Sequence, residues 1–303
     1  MSFRRLFLSA ASELLSAVRS RRAIVVLILY FAASLLCMNV AISILSKVEV
    51  HVSEALQVEV SDASKEGAAS ASLWRSKKFQ KIIRANIEDP RLYDEIKDRH
   101  PAELLYAAIT FFFIPLLTIL VGANRIADDL RSGAVRYMIT RVTRLEWSLG
   151  KYLGMALLLV LGLLLGAFAA WAVAFFRLGG ADIARLLPTM LLWSVKAWFL
   201  SLAWLGFAMC FSHMFRSGAA ATATAIGAFV GSYLLSAAFA FFAHMGVLPG
   251  LFETLDLLHP SSWKEGLWRA SPAPLGASAA FLLMLGLLYH LLGYATFARR
   301  DAR

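Results

Sequence analysis

Ile126-Ala-Asp-Asp-Leu-Arg-Ser-Gly-Ala-Val-Arg-Tyr-Met-Ile-Thr-Arg-Val-Thr-Arg-Leu-Glu-Trp-Ser-Leu-Gly-Lys151 is a basic, polar connection between two long apolar segments. Within it Ile126, Leu130, Ala134, Tyr137 and Met138 recur at helical spacing, while Asp128, Asp129, Arg131, Arg136 and Arg141, with Arg125 just before, occupy much of the remaining circumference. One face can lie on membrane or protein and the other offers charge, the pattern of a docking element. Gly133 interrupts a continuous helix, and Thr143 followed by Glu146 reads as a capping box opening a new one. The expectation is helix, bend, short helix, cap, then a membrane span.

Composition says what surrounds this connection. The chain has 303 residues, 59% of them hydrophobic, and a mean hydropathy of +0.67, far above soluble domains. It is an integral membrane protein of the all-α class, with six transmembrane helices. The net charge of +10 is spread among loops between apolar runs, which reads as membrane orientation and not as a nucleic-acid surface. Cys37 and Cys210 both fall inside apolar runs, as small fillers without metal-ligand spacing.

Residues 1–22 carry Arg4, Arg5, Arg19, Arg21 and Arg22 around Phe3, Leu6, Phe7, Leu14, Leu15 and Val18, an amphipathic interfacial helix with basic ends. The apolar run 23–46 exceeds the ~7–15 residues of a signal peptide core and matches the ~20 a bilayer needs, so it is read as a retained first span. The arginines before it place the N-terminus in the cytoplasm. Residues 47–102 form an extracytoplasmic helical loop, whose Arg75, Lys77, Lys78, Lys81 and Arg84 make a solvated helix face. Span two is 103–123, with Pro115 inside it. The connection at 124–144 follows, then span three at 145–176.

Span four, 186–211, carries Lys196 near its middle, and an ionisable group at that depth suggests either contact with substrate or another subunit, or a side chain that snorkels beside Trp193 and Trp198 or lies near the outer interface. His213 beyond it reads as a solvated loop residue. Span five is 217–244. Gly150 and Gly154, Gly162 and Gly166, and Gly227 and Gly231 are spacings for close helix packing. Residues 245–271 are too apolar for a loop and too broken by Gly246, Pro249-Gly250, Pro260 and Gly266 to span, so their backbone must be shielded by protein or face a wet cavity. Ser262 and Glu265 suggest a second capping box, and Trp263 and Trp268 suit the outer interface. Span six is 274–297, and 298–303 forms a cytoplasmic tail.

Asp129, Ser132-Gly133, Arg144 and Gly150-Lys151 together resemble the loop after the second span of ABC-2 type transporter permeases, in which an acidic residue, a Gly-Thr pair, a Ser-Arg pair and a closing Gly-Lys occur. Asp129 stands where that family usually has Glu, Ala134 where it has Thr, Val142 near a common Pro, and Thr143 at the Ser before Arg144. Leu257-Leu258-His259-Pro260 resembles the family's Leu-Asn-Pro run, and Ala298-Arg299-Arg300-Asp301 its Arg-Arg-Asp ending. The family includes the nitrous oxide reductase maturation permease and permeases that export bacteriocins and antibiotics.

The resemblance implies a permease subunit of a bacterial inner-membrane exporter with alternating access. A separate P-loop ATPase, in two copies, would dock on Asp128, Asp129, Arg131, Gly133, Arg136, Tyr137, Met138, Arg141 and Arg144, the charges setting orientation and Tyr137 and Met138 supplying buried contact. A second permease copy would complete the pathway as a homodimer or heterodimer, and an extracytoplasmic accessory protein is a further partner. ATP and Mg would be held by the ATPase, since this chain has no G-x-x-x-x-G-K-[ST] run. Its six histidines are scattered without metal-ligand spacing, so no catalytic residue and no metal site is expected. The alternatives are a membrane scaffold or assembly factor using the same ATPase on a partner protein, and an ion-driven secondary transporter, which should show several intramembrane carboxylates where only Lys196 is found.

Overall fold

The structure is a computed structural model and describes residues 3–19, 21–56, 93, 99–138, 140, 142–178, 183 and 185–299. The extracytoplasmic cluster Arg75 to Arg84, the helix stop at Asp89-Pro90, Arg141, Arg300 and Asp301 lie outside the described residues. Among the described residues there is no strand, and six helices are long and apolar enough to cross a membrane.

In chain order the α-helices are α1 (Phe3–Arg19), α2 (Arg21–Leu56), α3 (Pro101–Gly122), α4 (Arg125–Ser132), α5 (Ala134–Met138), α6 (Arg144–Leu178), α7 (Leu186–Met214), α8 (Gly218–His244), α9 (Pro249–Asp256), α10 (Lys264–Trp268) and α11 (Pro272–Ala298), of which α2, α3, α6, α7, α8 and α11 carry the spans. The helix carrying the first span continues to Leu56, beyond the apolar run that ends near residue 46. Pro101 starts α3 at a position where its missing N–H costs nothing, and His100 Nδ1 accepts from Ala102 N at 3.2 Å. Pro115 is buried inside α3, which runs through it.

The centre of the bundle is α7, packed against α3, α6, α8 and α11. It approaches α11 backbone to backbone, because Gly206 faces Gly286 and any Cβ at Gly206 would overlap the Gly286 carbonyl. Glycine is the only residue that fits such a contact. Near the other end of α7, buried Glu103 of α3 accepts hydrogen bonds from Trp193 Nε1 at 2.8 Å and Arg99 at 3.0 Å. By contrast α8 stands at the edge, with only Gly218, Ala221 and Ala225 buried. Gly162 and Gly166 pack on Leu27 and Tyr30 of α2, but a Cβ at Gly227 or Gly231 would meet nothing. The tight packing expected of that pair is therefore not made among the described residues.

After α8 the chain turns through Gly246 and Leu248, both at positive φ (76° and 42°). It then runs back along α8 as α9, Phe252 stacking on Phe239 and Phe242. By Asp256 and Ser261 it has returned to the level of Ser236 and Tyr233, about 8–11 residues, or ~12–17 Å, from the end of α8. There the irregular backbone is covered by side chains: Tyr289 donates to Leu258 O, Trp263 Nε1 to Leu257 O and Ser262 Oγ to Asp256 O. This is how non-helical backbone is tolerated at membrane depth.

Those bonds overturn one expectation. Ser262 does not cap a helix with Glu265; its hydroxyl is taken by Asp256, and Glu265 pairs with Arg269 at 2.8 Å. Trp263 and Trp268 are half-buried, Trp263 stacked on Phe281 at 3.8 Å and Trp268 packed against Phe111 and Trp193. Their rings close the returning segment onto α3, α7 and α11.

Candidate functional site

The connection between α3 and α6 is helix, turn, helix. Ile126 and Ala127 are fully buried, and their backbone N–H groups, free at a helix start, both donate to Ser212 Oγ at the end of α7, at 2.9 and 3.1 Å. Asp128 lies against Gly218 in the first turn of α8, where any Cβ would collide with its carboxylate. Thus α4 is seated on the α7–α8 turn. Gly133 closes α4 at φ 74°, the left-handed conformation that glycine adopts without strain. Thr143 N donates to Glu146 Oε2 at 3.1 Å and Glu146 N to Thr143 Oγ1 at 3.2 Å, the reciprocal pair that starts α6.

The element that ties this connection to the bundle is Lys151. Its side chain is 7% exposed and its Nζ lies 2.7 Å from Glu13 Oε2 of α1 and 2.8 Å from Asp129 Oδ2 of α4. Three segments meet on one ammonium. The approach of α1 is possible because Gly150 and Gly154 face Ser9, Ala10 and Glu13, where a Cβ at either would clash. An ammonium removed from water needs its charge neutralised, and here two carboxylates do so.

Next to this triad, Ser148 Oγ contacts His213 Nε2 at 2.8 Å and His290 Nε2 at 2.9 Å, joining α6, α7 and α11. His213 Nδ1 lies 2.7 Å from Met209 O, so Nδ1 carries the proton and Nε2 accepts from Ser148. The Ser148 oxygen then receives the N–H of His290 Nε2, leaving His290 Nδ1 buried as a bare acceptor. His213 is fully buried, not the solvated residue its place before a turn suggested.

The residues singled out from sequence divide into three groups. Arg131 and Arg136 are exposed and Tyr137 is 80% exposed. Asp128, Asp129, Arg144 and Met138 are half-buried; Asp128 pairs with Arg131 at 3.5 Å, and Met138 packs partly against the chain's own core. Lys196 is apart from both. It is 4% exposed, donates to Arg269 O at 3.0 Å and lies 4.3 Å from the Trp193 ring. Within the chain the ammonium anchors the segment between α10 and α11.

Glu13, Ser148, His290 and Asp256 were not singled out. Glu13 was hidden as one polar residue in an amphipathic helix, and the others each lie far in sequence from their partners. A count that found only Lys196 at depth missed Lys151, His213 and His290, all within helices long enough to span.

A family profile described as "ABC-2 family transporter protein" matches residues 8–302, nearly the whole chain. The chain belongs to the ABC-2 transporter family. It is a multi-pass transmembrane subunit of an ABC transporter, the membrane component of transport and not the catalytic one, and ABC-2 permeases associate with an ATPase subunit. A comparison with curated proteins gives no match. In this ABC-2 permease the profile takes in the triad and both histidines, so the site described above belongs to the family-matched part of the chain.

Proposed function

We propose that α4 and α5 form the cytoplasmic coupling element on which a P-loop ATPase docks, one on each of two permease copies, in an exporter of the bacterial inner membrane. ATP and Mg are bound by the ATPase. Its closure on nucleotide presses on Tyr137, Arg131 and Arg136, and α4 transmits the displacement through Lys151 to α6 and α1. The observation that carries this reading is the Lys151 triad: a connection that presents exposed aromatic and basic side chains outward is fixed by a buried ionic tie to two bundle helices. A rigid tie makes the spans rock with the loop, a rigid-body transition.

What supports a second copy is the edge helix α8. Tyr233, Ser261, Ser262 and Asp256 put hydroxyls and a carboxylate on its partly exposed side at mid-span depth. Hydrocarbon is a poor solvent for them, whereas a partner subunit or a wet path between two copies covers them.

The reading is tested by extracting the tagged chain in mild detergent and assaying what accompanies it for ATPase activity. A stoichiometric P-loop ATPase that is lost on Arg136→Glu with Tyr137→Ala supports docking on this loop. A chain that stays stable without any ATPase, or an ATPase retained by that variant, overturns it.

A further inference from the structure

Two contiguous cavities open between α2, α3 and α6. One, about 210 Å³, is a slot between α2 and α3 with almost wholly apolar walls, including Ala33, Phe113 and Leu116. The other, about 60 Å³, continues it to Asn124, Arg125 and Asp128 at the start of α4. They share Val26, Tyr30, Leu117 and Leu120, so they form one groove. Its rim is open to the surroundings of the bundle, Leu29 being 62% exposed and Leu120 45%.

The length and the ends of this groove specify an occupant. From Val26 to Cys37 on α2 is about 11 residues, or ~17 Å, close to the ~15 Å of hydrocarbon in one leaflet. Where the two cavities meet, the Tyr30 hydroxyl is already engaged by Ser34 and Thr110 and makes no demand on a ligand. At the α4 end Asp128 is paired with Arg131. Arg125 is half-buried, and among the described residues its side chain makes no ion pair. The planar donor geometry of a guanidinium fits a phosphate. Exposed Arg4, Arg5 and Arg19 on α1 add positive charge, which favours anionic headgroups.

We propose that this groove binds one anionic glycerophospholipid, an acyl chain in the α2–α3 slot and its phosphate on Arg125. Free phosphate would leave the apolar slot without a role, and an uncharged acyl chain would leave Arg125 without one. Because Arg125 belongs to α4, the bound lipid braces α4 against α2 and α3. The site depends on the chain spanning a membrane and is independent of which ATPase docks or what is carried.

The test uses the full chain in nanodiscs of phosphatidylcholine, with and without phosphatidylglycerol, read as thermal unfolding, and native mass spectrometry of the detergent-extracted chain. The wild type is expected to melt higher with phosphatidylglycerol and to retain one molecule of it. Arg125→Gln, which removes the charge, and Ala33→Phe, which fills the slot, lose both effects, whereas Arg216→Gln, at an exposed site on the α7–α8 turn, keeps them. An equal shift in Arg125→Gln and wild type would mean general surface electrostatics and overturn the site. So would an equal shift from inorganic phosphate in phosphatidylcholine discs, or a wild type that retains no phosphatidylglycerol. If Arg125→Gln does not fold, Ala33→Phe decides, and retention of the lipid by that variant overturns the proposal.

Discussion

Lys151 Nζ lies 2.8 Å from Asp129 Oδ2, so the loop helix α4 and the span α6 are joined by an ion pair whose ammonium is almost fully enclosed. The loop is therefore not a flexible strap. Lys151→Met removes the shared cation and leaves Glu13 and Asp129 facing each other. The expected loss of stability is about 3 kcal/mol, reduced by the 30% exposure of Asp129 and read as a lower midpoint of unfolding. Asp129→Asn keeps the Glu13 pair and costs less, so it isolates coupling: the ATPase remains bound and its coupling to transport falls.

Tyr137 has few contacts of its own to lose. Tyr137→Ala is expected to change the chain's stability by no more than about 0.5 kcal/mol and to weaken ATPase binding by about 2 kcal/mol, as a central aromatic contact does. A titration of ATPase against the two proteins in detergent compares the affinities, and an unchanged affinity would remove Tyr137 from the docking surface.

Ser148 serves two imidazoles at once. Ser148→Ala strips the acceptor Nε2 of His213 and the donor Nε2–H of His290 of their partner in a buried site, each unsatisfied group costing about 1–3 kcal/mol. Ser148→Thr keeps the hydroxyl and should retain more stability. Equal losses in the two variants, measured by thermal unfolding, would assign the effect to packing.

The glycines of α7 and α8 make opposite predictions. Gly206→Ala forces a methyl into the Gly286 carbonyl and is expected to cost about 1–3 kcal/mol. At Gly227 a Cβ meets nothing within 4 Å among the described residues, so Gly227→Leu should leave the melting temperature of the isolated chain unchanged. If two copies meet on α8, the same change shifts the mass measured in detergent from dimer to monomer.

His259 links pH to the returning segment. Burial lowers its pKa, with the nearby Asp256 carboxylate opposing, so the folded chain holds it neutral where the unfolded chain begins to protonate. Stability present above about pH 6.5 is then lost as pH falls towards the lowered folded value. His259→Gln should show a shallower fall in melting temperature from neutral to mildly acidic pH than the wild type. An identical slope would place the acid sensitivity elsewhere.

Hydropathy was enough to read six spans because each is a long apolar run, and the bilayer requires such runs locally. The break at Gly133 and the Thr143–Glu146 cap were legible for the same reason, since both are decided within a few residues. His213 shows where that reading stops: its position before a turn suggested solvent, but the end of α7 is covered by α6 and α11. Lys196 shows the converse, a costly charge whose partner is a carbonyl from the distant residue Arg269. Ser262 had the spacing of a cap, yet Asp256 was brought within reach and took its hydroxyl.

The sequence by itself determined the class of the protein, its six apolar helices, the position of the charged connection and the resemblance that the family match established. These follow from local solvation: apolar length, helix breaks and caps are properties of neighbouring residues. Only the tertiary structure decided that Glu13, Asp129 and Lys151 share one site, that α8 leaves Gly227 and Gly231 unpacked and that α9 carries Asp256 back along α8. Those relationships depend on which helices approach closely, and that is set by backbone contacts such as Gly206 on Gly286, between residues that no local pattern connects.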